Sequence, residues 1–154
     1  LAAPDPRHRA AQVAQWPYPT KLAVTPEERA QAFSTGDVAL ACSGTVTLEL
    51  ALCKVPMVSV YQTDALARLA RPFIRIWTAS LPNLIADQPV VPEFIDEMIR
   101  PGMVARHLEM LARPGPVREA QLQGFDLVRE RMRTERVPGD LAAERVISHI
   151  TKKL

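Results

Sequence analysis

The segment Ala41 to Tyr61, ACSGTVTLELALCKVPMVSVY, holds the residue types best suited to chemistry. Ser43-Gly44-Thr45 is a turn of small residues joining an apolar run directly to a helical one. Such a junction leaves backbone N–H groups without partners and points the positive end of a helix dipole at whatever lies in front of it. That combination binds anions, phosphate in particular. Gly44 allows close backbone approach, and the hydroxyls of Ser43 and Thr45 add hydrogen bonds to phosphate oxygens. Glu49 falls four residues after Thr45, on a similar helix face, where its carboxylate can accept from two sugar hydroxyls. Taken alone, the turn reads equally well as ordinary capping, and Glu49 as a solvent-facing helix residue. Neither a GxGxxG fingerprint nor a GxxxxGK[ST] phosphate loop occurs.

Positioning such a turn requires a strand before it and a helix after it. Asp37 to Cys42, DVALAC, is continuous and apolar, as a strand buried on both faces should be. A helix through Thr47 to Leu52 follows, and Met57 to Tyr61, MVSVY, reads as another buried strand. Upstream, His8 to Trp16 has helical spacing and is stopped by Pro17 and Pro19, and Lys21 to Val24 reads as a strand. Thr25, Pro26 and Glu28 then make a capping box that opens a helix to about Ser34. Strand and helix alternate with short links, which predicts an α/β fold: a partial Rossmann-like parallel sheet with ligands at the strand carboxyl ends. Asp64 to Trp77 is a long helical segment, Ser80 to Pro92 an irregular proline-rich loop. Helices at about Arg100 to Ala112, Val117 to Arg133 and Gly139 to Lys152 close the chain.

With 154 residues, 47% hydrophobic and 23% charged, the chain fits one globular domain with a real core. A net charge of +2 is too small for a nucleic-acid partner. Cys42 and Cys53 lack any metal-ligand spacing and read as small core residues in a reducing cytosol, so no metal or cofactor is expected. No apolar run is long enough to span a membrane. The chain lacks an initiator Met, and Leu1-Ala2-Ala3 before Pro-Asp-Pro reads like the tail of a buried strand, so residues 1–154 are expected to be a truncated domain. His8, His107 and His149 have no nucleophile or carboxylate at motif spacing. The arginines of Val117 to Arg136 read as a solvated face with ion pairs, Lys54 as compensation of a helix dipole, and Trp16 as packing against the sheet.

In Asp64 to Trp77, the apolar Leu66, Leu69, Phe73, Ile76 and Trp77 interleave with Arg68, Arg71 and Arg75, with a break at Pro72. A helix of this kind lies in a membrane interface, its arginines on phospholipid headgroups. A core-facing helix with a solvated basic side would carry the same pattern.

The run SGTVTLELALCKVPMVSVY, followed by that helix and then by SLPNLIADQPVVPEFI, resembles lipid-A-disaccharide synthases across nearly the whole chain. Ser80-Leu81-Pro82-Asn83-Leu84, at this distance from the Ser43-Gly44-Thr45 turn, separates that family from other GT-B glycosyltransferases. The resemblance implies the carboxy-terminal, donor-binding part of a two-domain enzyme that moves 2,3-diacylglucosamine from its UDP donor to lipid X and releases UDP. It further implies that Ser43, Gly44 and Thr45 hold the diphosphate and Glu49 the ribose. The backbone near Thr25 would lie under the uracil, and Asn83 would reach into the donor site between Pro82 and Pro89. An Asx bond capping its own turn is the plainer role for Asn83.

Attack by the lipid X hydroxyl on the anomeric carbon needs a general base and stabilisation of the leaving diphosphate. The helix start at Gly44 supplies the second; the base is expected in an amino-terminal half. This chain alone is therefore expected to bind UDP weakly and transfer nothing. In the cell it is expected to be cytoplasmic and peripheral on the inner face of the inner membrane, on an anionic surface. An exposed sheet edge invites homodimerisation or strand exchange. Two rival readings remain at this stage. One is another UDP-sugar enzyme of the same fold, a UDP-GlcNAc 2-epimerase or an N-acetylglucosaminyltransferase. The other is a non-catalytic peripheral membrane module.

Overall fold

The computed structural model describes residues 10–11, 13–42, 44–63, 77–134 and 137–151. Three parallel strands, β1 (Ala39–Cys42), β2 (Met57–Tyr61) and β3 (Glu93–Ile95), form one sheet in that order. Around it lie α1 (Pro26–Thr35), α2 (Thr45–Leu52), α3 (Leu81–Ala86), α4 (Pro101–Ala112), α5 (Pro116–Arg131) and α6 (Pro138–Thr151). The expected α/β class, a partial Rossmann-like parallel sheet followed by carboxy-terminal helices, is what is found.

The register places Ala41, Ser59 and Glu93 side by side, so they share one face, while Val58, Val60 and Phe94 share the other. On the first face α2, α3 and α5 pack a core of Leu50, Met57, Val91, Phe125 and Val128. On the second, α4 presents Val104 and Leu111 to Val58 and Phe94. Burial of each such side chain contributes about 1.5–3 kcal/mol. Helices on both faces of a parallel sheet are the doubly wound arrangement.

Helix α5 holds this assembly together through polar side chains. The buried Gln121 accepts from the Met57 N–H at 2.9 Å and donates to the Met57 and Val90 carbonyls at 2.9 and 3.2 Å, so it ties the amino end of β2 to the chain before β3. Three arginines of the same helix each reach the last turn of a different helix. Arg118 donates to the Leu111 carbonyl at 2.7 Å, Arg129 to Leu52 at 2.8 Å and Arg131 to Ile85 at 2.8 Å. These are carbonyls without intrahelical partners at the negative ends of α4, α2 and α3. Arg129 and Arg131 are exposed, as expected of a solvated face, and what they and Arg118 add to it is a set of carbonyl caps. Lys54 does form an ion pair, at 2.6 Å with Asp126 of α5.

Several expectations are corrected. Residues 21–24 form no strand: the Val24 N–H is taken by Glu28 Oε2 at 2.7 Å, and Leu22 and Val24 are exposed. Strand β1 is not buried on both faces: among the described residues it is the outer strand, paired only with β2, and Leu40 is 55% exposed. The stretch from Ser80 to Pro92 is not an irregular loop throughout, because Leu81–Ala86 is helical; residues 87–92 then connect it to β3, which the sequence reading missed. Trp16 is 60% exposed rather than packed on the sheet, and Cys42 and Cys53 are exposed rather than core. The helical turn before Pro17 is present, with the Ala14 N–H donating to the Ala10 carbonyl at 3.0 Å. Arg68, Arg71, Phe73 and Arg75 lie outside the described residues, and Trp77 is exposed. Among the described residues no helix is long and apolar enough to cross a membrane.

Candidate anion-binding site

All three strands end at one edge of the sheet, the edge at which open parallel sheets take their ligands. Chain leaving β1 at Cys42 is already helical at Thr45. Ser43 lies outside the described residues. Gly44 is the N-cap of α2, at φ 138 and ψ −163, a region that side-chain-bearing residues rarely adopt. A Cβ placed there would meet nothing within 4 Å. Glycine is therefore required by backbone conformation, and among the described residues nothing fills the space in front of it.

The turn is pinned from behind. Thr47 is fully buried and donates its hydroxyl to the Gly44 carbonyl at 2.7 Å, while its N–H reaches the same oxygen at 3.2 Å. Gly44 has no side chain to cap the helix, and the first turn of α2 holds no acidic residue to repel an anion. An eight-residue helix thus presents its positive end at the ligand edge of the sheet. Thr45 and Glu49 are both exposed and one turn apart, so the structure brings Gly44, Thr45 and Glu49 together along one side of one helix.

The same edge carries a second carboxylate that the sequence reading passed over. Asp96, directly after β3, accepts from the N–H and the hydroxyl of Thr63, which follows β2, at 2.7 and 2.6 Å. Its φ of 48 is a left-handed conformation that Asp tolerates better than most residues. An Asp straight after a short apolar run was the available signal.

Asn83 is placed differently from Glu49. It is 2% exposed, and both ends of its amide are engaged by protein. Its Oδ1 accepts from the Val90 and Val91 N–H groups at 2.8 and 2.7 Å. Its Nδ2 donates to the Val91 carbonyl at 3.0 Å, to Thr78 Oγ1 at 3.2 Å and to Glu93 Oε2 at 3.4 Å. Two backbone donors against one end fix which end is oxygen. Neither the reach into a donor site nor the Asx cap describes this geometry; the amide fastens α3 to the chain entering β3. Helix α3 in turn packs on α2, so Asn83 lies in the layer that supports the Gly44 helix.

Thr25 caps α1 as its residue type requires. Its hydroxyl accepts the Glu28 N–H at 3.2 Å, and its own N–H donates to Glu28 Oε2 at 3.1 Å. These N–H groups of Thr25 and then Val24 hold the Glu28 carboxyl below its usual range. Much of the Thr25 backbone polarity is thereby spent on the cap.

Residues 2–140 match the family model described as lipid-A-disaccharide synthetase. A lipid-A-disaccharide synthase of Nitrobacter winogradskyi is 41% identical over 137 residues, covering 88% of this chain and 35% of the relative. One from Rhodopseudomonas palustris is 37% identical over 144 residues, with 92% and 37% covered, and one from Bradyrhizobium diazoefficiens is 35% identical over 142, with 91% and 36% covered. The chain spans little more than a third of the length of these curated relatives. A family match across nearly all of the chain, joined to a parallel sheet with an open helix start at its ligand edge, means that this chain belongs to the lipid-A-disaccharide synthetase family.

Proposed function

We propose that this chain is the donor-binding part of a glycosyltransferase of lipid A biosynthesis. In this reading the start of α2 at Gly44 and Thr45, with Ser43 before it, holds the diphosphate of UDP-2,3-diacylglucosamine, and Glu49 accepts from the ribose hydroxyls. The glucosamine unit passes to lipid X, and UDP leaves. The observation that carries the reading is Gly44: a positive-φ N-cap at the carboxyl end of β1, backed by Thr47 and open in front. Backbone N–H groups and a helix dipole stabilise the charge that develops on a departing diphosphate without reorganising. Asn83 then serves the donor site through α3 rather than by touching the nucleotide. The acyl chains of both substrates call for a lipid surface, and the basic-apolar segment ending at the exposed Trp77 is the proposed contact, on the cytoplasmic face of the inner membrane.

The test is titration with UDP, GDP and NAD, followed by amide chemical shifts. UDP is expected to shift Gly44, Thr45 and Val46 selectively, and Glu49→Ala to weaken UDP about tenfold while leaving the thermal midpoint in place. Equal response to all three ligands, or none at α2, would sink the reading.

A further inference from the structure

Three polar atoms are buried without a hydrogen-bond partner: Ser59 Oγ, Ser80 Oγ and Glu93 Oε1. Strand register and hydrogen bonds connect their residues through Glu93. Ser59 and Glu93 are register partners on β2 and β3 and project from the same face. The other Glu93 oxygen, Oε2, accepts from the Thr78 hydroxyl, and Thr78 Oγ1 accepts from the Ser80 N–H at 3.1 Å and from Asn83 Nδ2 at 3.2 Å. Donation therefore runs one way, from Asn83 and Ser80 through Thr78 to Glu93.

Ser80 sharpens the point. It is the N-cap of α3, the position at which a serine hydroxyl ordinarily accepts from the helix, yet it makes no cap bond and is 0% exposed. Ser59 is 1% exposed. A buried polar atom left unpaired keeps its desolvation penalty without recompense, so three together are a costly arrangement for a core beside Asn83 to keep. Two hydroxyls, each able to donate and accept, and one carboxylate oxygen that can only accept, match a single molecule that donates twice and accepts at least once.

We propose that Ser59, Ser80 and Glu93 form a closed binding site for one internal water molecule. It donates to Glu93 Oε1 and to one serine oxygen, and accepts from the other hydroxyl. A buried water with three partners is the usual way such atoms are satisfied. Glu93 is then a positioning residue. Its Oε2 anchors the Thr78–Asn83 chain, its Oε1 anchors the water, and the two together set α3 against the sheet under α2. Nothing in this rests on the nucleotide reading, and its test does not use a nucleotide.

The test combines a crystal structure of the chain at a resolution that shows ordered water with exchange of the Asn83 side-chain amide protons followed by NMR. One water within hydrogen-bond distance of all three atoms is expected. A direct bond between Glu93 Oε1 and either serine hydroxyl, with no density between them, overturns the proposal. Glu93→Gln supplies an acceptor for Thr78 and its own donor for the serines, so it should expel the water and keep Asn83 protected. Glu93→Ala should speed Asn83 amide exchange at least tenfold. Loss of protection in Glu93→Gln equal to that in Glu93→Ala would show that the site needs the carboxylate charge, as for a cation, and would overturn water as the occupant.

Discussion

Gly44 and Asn83 stand on neighbouring helices, and the same resemblance assigns both to a donor site, but the fold treats them in opposite ways. Around Gly44 the backbone is pinned from behind by Thr47 and left open in front, with Thr45 and Glu49 exposed beside it. Around Asn83 every polar atom of the amide is turned inward and bonded to Val90, Val91, Thr78 and Glu93. An open helix start retains capacity for a ligand; a saturated buried amide has spent its capacity on rigidity. A residue can thus serve a binding site without touching what binds there. Substitutions that separate stability from affinity at the two places test the distinction.

The largest expected effect is at Asn83. Asn83→Ala leaves the Val90 and Val91 N–H groups buried without an acceptor, at about 1–3 kcal/mol each, so a loss of about 2–6 kcal/mol is expected by denaturant unfolding. Asn83→Asp keeps an acceptor for those two donors but loses the bond to the Val91 carbonyl and sets a carboxylate beside Glu93, so it should also destabilise. Full stability in Asn83→Ala combined with lost UDP binding would reverse the contrast and make Asn83 a direct ligand.

Next in size is Gly44→Ala. Space is available for the methyl group, so the cost is backbone strain at φ 138, about 1–3 kcal/mol. The altered turn should also weaken UDP at least tenfold. A variant that is destabilised but binds UDP normally would separate the strained backbone from the anion site. Gly124→Ala is the steric counterpart on α5: its Cβ would fall 2.5 Å from Val90 Cγ1, so overpacking of about 1–3 kcal/mol is expected with no direct effect on UDP contacts.

What the residues alone disclosed depended on how far each signal reaches. MVSVY is five apolar or small residues ending at a polar pair, and β2 has those bounds. The capping box at Thr25 and Glu28 is a local device and is found intact. Strand β3 is only Glu93–Ile95, shorter than any periodicity can register, and it follows a proline. Residues 21–24 have strand-like composition, but a strand also needs a ladder partner, and composition does not report one. The Gly44 turn was legible because glycine before a helix after an apolar run is a backbone statement. The inward turn of Asn83 was not, since its five partners come from Thr78, Val90, Val91 and Glu93, whose approach only the assembled fold decides.

The smallest expected effect is at the exposed capping box of α1, and it is a test of pH. The N–H groups of Thr25 and then Val24, which donate to its carboxylate, hold Glu28 below the usual glutamate range, and Glu27 is lowered by its own backbone N–H and by the Thr25 side chain. A depressed carboxyl adds stability that is fully present above the unfolded value and disappears as pH falls through the folded one. The amino end of α1 should therefore keep its helical carbon shifts at neutral pH and fray in acid, as pH falls through the lowered folded value. Thr25→Ala should weaken the helix by about 1 kcal/mol at neutral pH. Glu28→Gln keeps an uncharged acceptor at the cap, so the Glu28 share of the acid step should vanish at α1. The Gly44 turn has no acidic residue in the first turn of its helix, so its signals should not follow that step. An acid transition of the same size at α1 in Glu28→Gln would remove the cap as its cause.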